Sequence, residues 1–304
     1  MTGTAPRPLV FGEALYDCFD DGATVLGGAP FNVAWHLQGF GLEPLFISRV
    51  GEDALGERLL EAMARWGMDT SGVQRDGAHG TGRVEVHMSG TDHRFEILPD
   101  QAYDHIDPAA ARAAAGDPAR WALLYHGSLA VRADTSAAAL AALRAAAIPA
   151  FVDVNLRAPW WQCETVDRLL QGARWVKLND EELDDLQCVG AGSGTLNQRA
   201  CDFLAHYGLD SLVLTRGAEG ALLLRGGQLL EGRPPRLASV ADTVGAGDAF
   251  AAVTILGLLQ DWPAADILGR ALAFAARICQ QQGATAEDPA LYRQCLAEWG
   301  RDGP

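Results

Sequence analysis

Lysine is almost absent from this chain: Lys177 stands alone among 24 basic residues, the rest being arginines. Phosphate charge would therefore have to be met by arginine, by backbone N–H groups or by a metal ion. A P-loop is excluded, because G-x-x-x-x-G-K-[ST] needs a lysine and no such glycines precede Lys177. Positive charge is scarce altogether. The 39 acidic residues leave a formal net charge of −15, which argues against nucleic acid or an anionic membrane as the main partner. No apolar run reaches the roughly 18 residues that a membrane span requires. Residues 1–8 lack the basic start and apolar core of a secretory signal. Cys18, Cys163, Cys188, Cys201, Cys279 and Cys295 form no C-x-x-C pair and no regular framework. The expectation is a soluble cytoplasmic protein with buried free thiols. The seven histidines, at 36, 79, 87, 93, 105, 126 and 206, show no metal spacing, so structural or surface roles are expected of all.

What is present is a globular composition, 49% hydrophobic and 21% charged over 304 residues, enough for one large α/β domain with a small appendage. Short apolar segments at 9–15, 45–50, 122–126, 150–156, 175–178 and 211–215 read as buried strands. Helical stretches at 30–39, 55–66, 135–147, 165–172 and 195–207 separate most of them. In the second, Leu55, Leu59, Met63 and Trp66 recur at helical spacing before Gly67. Such alternation predicts a mostly parallel sheet covered on both faces, a three-layer α/β/α core. Residues 221–224 and 228–231 flank Gly226-Gly227 as a hairpin, and long apolar helices follow at about 246–259 and 263–281.

One stretch breaks this rhythm. Residues 80–98 alternate polar and apolar on both sides of a turn at Ser89-Gly90, which predicts an antiparallel, half-exposed hairpin. Residues 16–26 add a strand beside it. The two together, about 16–26 and 80–103, read as a small β-sheet lid on a single domain spanning 1–304; an ordinary surface hairpin is the alternative. Exposed lid edges invite a partner strand.

Asp242-Thr243-Val244-Gly245-Ala246-Gly247-Asp248 precedes an apolar helix. Small residues at Gly245, Ala246 and Gly247 let a ligand approach the backbone, and the helix N-terminus favours an anion. Asp248 adds a carboxylate that can take a proton from an acceptor hydroxyl attacking phosphorus. The same residues would also suit an ordinary helix start.

D-T-V-G-A-G-D resembles the C-terminal signature of the ribokinase family, the phosphofructokinase-B type carbohydrate kinases. Gly27-Gly28-Ala29-Pro30-Phe31-Asn32-Val33-Ala34, with Gly41 and Gly51, resembles the N-terminal signature. The resemblance spans nearly the whole chain. It implies a ribokinase-like fold, ATP as phosphoryl donor, Asp248 as catalytic base and Gly245-Ala246-Gly247 as anion hole. Asn179-Asp180-Glu181-Glu182 is similar to the family's Asn-x-x-Glu, which implies Asn179 and Glu182 organising water-held Mg²⁺ near the triphosphate. A plain acidic helix start explains the same residues. Thr215, Gly217 and Gly220 resemble the nucleotide-contacting turn, with a tight turn at a strand end as alternative. Asp242 and the Val244 carbonyl match the positions of a K⁺ site. A homodimer through the lid is the implied assembly.

For the acceptor, Asp17, Gly27, Gly28 and Asn32 match positions at which relatives hold sugar hydroxyls, and their chemistry suits that task. Asp17 on a solvent-facing strand and Asn32 as a helix cap are the alternatives. Asp153-Val154-Asn155-Leu156-Arg157-Ala158-Pro159-Trp160-Trp161 resembles fructokinases and 2-keto-3-deoxygluconate kinases. Arg157 follows a strand end, where ligands bind in such sheets. It contacts phosphate or pairs with Asp153 or Glu182. Gly12-Glu13-Ala14-Leu15 and His126-Gly127-Ser128-Leu129 are also most similar to fructokinases, whereas Asp100-Gln101 departs from their small, glycine-bearing turn. The expected reaction is phosphorylation of a sugar hydroxymethyl group, fructose first. Aminoimidazole riboside, 2-keto-3-deoxygluconate and a non-catalytic sugar sensor are the other readings.

Overall fold

The computed structural model describes residues 7–89, 92–189, 193–237 and 239–300. The expected turn at Ser89-Gly90 falls partly outside them. Following the chain, β1 (Arg7–Phe11) leads into β2 (Leu15–Phe19), β3 (Thr24–Gly27), α1 (Ala29–Gly39), β4 (Leu45–Gly51), α2 (Ala54–Arg65) and β5 (Val73–Asp76). The excursion β6 (Gly82–Ser89) and β7 (Asp92–Ile97) comes next, then α3 (Pro108–Ala115), β8 (Trp121–His126), α4 (Asp134–Arg144) and β9 (Ala150–Asp153). The remainder runs through α5 (Cys163–Leu170), β10 (Ala173–Asn179), α6 (Asp180–Asp185), α7 (Leu196–Tyr207) and β11 (Ser211–Thr215). It ends with β12 (Ala221–Arg225), β13 (Gln228–Gly232), α8 (Ala246–Leu259), α9 (Ala264–Ile278) and α10 (Pro289–Glu298).

The large sheet has nine strands in the order β13-β12-β11-β10-β9-β8-β1-β4-β5. All its pairings are parallel except the two made by β12, at the hairpin predicted around Gly226-Gly227. Alternation along each strand sorts side chains to two faces. Val10 packs with Phe31, Trp35 and Ile255 of α1 and α8, while Leu9 and Phe11 pack with Ala111, Leu140 and Leu143 of α3 and α4. Three layers result. Among the described residues no helix is long and apolar enough to cross a membrane.

A second sheet, ordered β3-β2-β6-β7, is the lid. Residues 16–26 supply two strands rather than one, because β2 and β3 turn back on each other around Gly22. The single strand expected over 9–15 is likewise two. At Gly12, φ is 154° and an added Cβ would meet Pro30 Cγ at 2.3 Å, so the chain bends there, leaving the core sheet for the lid. The short, alanine-rich α3, the C-terminal α10 and the edge strand β5 were not predicted.

The thiol expectation needs correcting. Cys163 and Cys188 form a disulfide, with Cα atoms 6.5 Å apart. Their separation of 25 residues carries no signature, because the contact arises only where the start of α5 meets the turn after α6. Of the free cysteines only Cys295 is buried; Cys201 is exposed.

Candidate active site

A cavity of about 550 Å³ lies where the carboxyl ends of β8 to β11 meet the lid. That is where ligands bind in open parallel sheets. Val25, Val84, Phe95 and Ile97 wall it from the lid side. Its floor is the start of α8. Gly245 precedes that helix with φ 78°, and an added Cβ would meet the Ala284 Cβ at 2.4 Å, so only glycine fits. No side chain caps this helix; Ala246 N donates to the Thr243 carbonyl at 3.3 Å, and the helix N-terminus favours an anion.

Asp248 sits in that first turn. Asn32, in the first turn of α1, donates from Nδ2 to Asp248 Oδ2 at 2.8 Å. The two glycine-bearing motifs are thus joined across 216 residues. Asn32 is not the helix cap; that position is Gly28, with φ 103°. Burial pushes Asp248 up to about 6, the Asn32 amide pulls it down, Asp153 raises it, and Lys177 and Arg157 lower it.

Behind the glycine loop lies a buried pair missed by sequence reasoning. Lys177 Nζ donates to Asp153 Oδ1 at 2.8 Å and to Oδ2 at 2.9 Å, and the Tyr125 hydroxyl donates to Oδ2 at 3.1 Å. Burial disfavours the Lys177 ammonium, but Asp153 outweighs this and its pKa is raised. A Cβ on Gly247 would lie 3.5 Å from Lys177 Nζ, so the one lysine stands against the anion loop. A lone lysine inside an apolar strand was the available signal.

Asn179 and Glu182 cap one another: Asn179 Oδ1 accepts from Glu182 N at 2.7 Å, and Glu182 Oε2 accepts from Asn179 N at 2.8 Å. Glu182 Oε1 also accepts from Leu156 N at 2.8 Å. The helix-start reading therefore holds, yet both residues line the cavity. Each Glu182 oxygen keeps acceptor capacity for water. Around the cavity Glu13, Asp17, Asp153, Glu182 and Asp248 face only Lys177 and Arg157 as cations. That acid excess, built from oxygen donors, fits a water-held Mg²⁺.

Arg157 pairs with neither Asp153 nor Glu182; it is exposed, donates to the Leu156 carbonyl at 3.1 Å and lines the cavity. Asp17 of β2, Gly27, Gly28 and Asn32 line it too, so the lid carries Asp17 over the cavity rather than to solvent. Burial, then the Asp242 charge, pushes Asp17 up to about 6. Glu13, between β1 and β2, joins these residues. It is 2% exposed, lines the cavity and leaves Oε2 without a hydrogen-bond partner among the described residues. Burial pushes it up to about 7. An acid set among apolar residues in F-G-E-A-L was the clue.

Thr215 lines the cavity, while Gly217 and Gly220 are outside its lining. Gly220 has φ 108°, and an added Cβ would lie 2.0 Å from the Gly232 carbonyl, so close packing accounts for that glycine. Asp242 Oδ1 accepts from Val244 N at 3.0 Å and Oδ2 from Gly283 N at 3.2 Å, which fixes the loop before Gly245. His126 is buried, with Nδ1 3.0 Å from the Gly127 carbonyl, a structural role.

The pfkB family carbohydrate kinase model matches residues 19–291. The chain is similar to the fructokinase of Klebsiella pneumoniae, 30% identical over 269 residues, which are 82% of this chain and 83% of that one. Its fold is that of the ATP-bound fructokinase of Xylella fastidiosa, with a TM-score of 0.84 at 23% identity over 98% of this chain and 100% of that one. The aminoimidazole riboside kinase of Salmonella enterica aligns with a TM-score of 0.79 at 22% identity over 95% and 99%.

Proposed function

The chain belongs to the pfkB family of carbohydrate kinases and is a sugar phosphotransferase, and on that premise we propose that it moves the γ-phosphate of ATP to the 6-hydroxymethyl group of fructose. The observation that carries the reading is the Asn32–Asp248 hydrogen bond at the uncapped start of α8. It puts a proton acceptor beside an anion site, under a lid.

The proposed mechanism follows from these positions. Asp17, Asn32 and the Gly27-Gly28 backbone hold sugar hydroxyls. Burial raises the Glu13 pKa to about 7, so that in its protonated form it offers a further donor to the acceptor. Asp248 takes the proton as the hydroxyl oxygen attacks phosphorus, and its raised pKa suits that role near neutrality. The amides at 245–247 meet charge developing on the transferred group, with Lys177 behind them and Arg157 reaching from the cavity rim. Asn179 and Glu182 would hold Mg²⁺ through water, and when bound it supplies neutralising charge between the phosphates. Thr215, Gly217 and Gly220 form the turn proposed to hold the nucleotide, and Asp242 with the Val244 carbonyl the proposed K⁺ site. The edge strands β3 and β7 of the lid sheet support a second copy of this chain as partner, which sedimentation at two concentrations tests.

Fructose is favoured because relatives at 30% identity bear that name. A panel of fructose, ribose, glucose, 2-keto-3-deoxygluconate and aminoimidazole riboside tests the acceptor. Fructose should have the highest kcat/KM, since a site built to pair hydroxyls rejects analogues that leave its polar groups unsatisfied. Another winner would overturn the acceptor and leave the kinase assignment standing.

A further inference from the structure

We propose a transition-metal site at the base of the lid, made by His79, Asp100 and His105, for a borderline divalent ion such as Zn²⁺. The three residues are scattered in sequence, and the absence of metal spacing among the histidines hid them. In the fold, one donor atom from each lies within 4.8 Å of the others. His105 Nε2 is 2.7 Å from Asp100 Oδ1, and His79 Nε2 is 3.7 Å from the same oxygen.

A fourth residue orients the set. Asp76 is 2% exposed, and its Oδ2 lies 2.7 Å from Arg49 Nε and 3.0 Å from His79 Nδ1. A buried carboxylate on one ring nitrogen fixes the tautomer and leaves the other nitrogen bare, as behind metal-bound histidines. His79 Nε2 is the ring nitrogen turned toward Asp100, 3.7 Å from its Oδ1. The two rings stack with centroids 3.6 Å apart and 13° between planes, so engaging one ion asks one partly exposed ring to turn. Asp100 holds φ at 55°. Glycine would adopt that conformation with less strain, and what Asp100 adds is the carboxylate. Two imidazoles and one carboxylate select zinc-like ions over Mg²⁺ and leave a position for water.

The location gives the ion a task. His79 precedes β6, and Asp100 and His105 follow β7, so the two passages of the β6–β7 excursion between core and lid meet here. Gly80 O accepts from Ala102 N at 2.9 Å across the same crossing. A bound ion pins the lid's base to the core.

The test uses the untagged, metal-free chain at about pH 8, where ordinary imidazoles are neutral. Zn²⁺ is titrated calorimetrically, Co²⁺ is followed by its absorption, and hydrogen exchange is read in β6 and β7. One ion per chain should bind, with slower exchange in both strands and no competition from millimolar Mg²⁺. Asp100→Asn and His79→Gln should each weaken binding at least tenfold, and Cys201→Ser should not change it. No stoichiometric binding, equal binding by Asp100→Asn and His79→Gln, or equal competition by Mg²⁺ would overturn the proposal.

Discussion

Asn32 donates a 2.8 Å hydrogen bond to Asp248, so the first turn of α1 holds the carboxylate in the first turn of α8. The bond favours the ionised acid and lowers its pKa against the burial that raises it. Replacing Asn32 by Ala should therefore raise the Asp248 pKa above about 6. A base must be ionised to act, so the acidic limb of the kcat–pH profile should move to higher pH. An unmoved limb would mean that Asn32 serves the acceptor alone.

Glu13 predicts a stability effect that is present at high pH and absent at low pH. Its folded pKa, about 7, lies above its ordinary 4.5. The favourable difference is present in full below 4.5 and lost as pH rises through 7. Between those values the folded chain holds the proton that the unfolded chain has released, and stability falls as pH rises. Glu13→Gln removes the cost of ionising a buried acid, so it should stabilise the protein at pH 8 by up to about 3 kcal/mol. At pH 4.5 it should do little. Equal denaturation midpoints for the two chains at pH 8 would contradict this.

How far the sequence carried these residues depends on how local each one is. Gly245 and Asp248 were legible because a glycine turn and a first-turn acid are neighbours in sequence. The strand at Ser211–Thr215 was placed to the residue, since an unbroken apolar run is bounded there by turn residues. The run 9–15 misled because a bend at Gly12 looks the same as a continuing strand. The Lys177–Asp153 pair, the Cys163–Cys188 bridge and the His79–Asp100–His105 cluster were illegible for another reason. Each depends on two elements meeting in space, and no spacing records that.

The Cys163–Cys188 bridge closes a 25-residue separation. Loop entropy of that size corresponds to ~3.5 kcal/mol. Reduction should lower the denaturant midpoint accordingly, and thiol titration of the unreduced, unfolded chain should find only Cys18, Cys201, Cys279 and Cys295. Six reactive thiols would contradict the bridge.

Glu182 both caps α6 and faces the cavity. Glu182→Gln should raise the Mg²⁺ concentration needed for half-maximal activity, as well as weakening the cap. A lower melting temperature with unchanged Mg²⁺ dependence would leave Glu182 a structural residue.

The central claim is phosphoryl transfer with Asp248 as base, and the direct measurement is sugar phosphate formed from ATP and fructose by wild type and Asp248→Asn, with binding of both substrates measured alongside. The account predicts fructose 6-phosphate and ADP in equal amounts from the wild type. It predicts a rate ~10²–10⁴-fold lower from Asp248→Asn with substrate affinities little changed. Near-wild-type turnover by Asp248→Asn, or no sugar phosphate from the wild type, would contradict it.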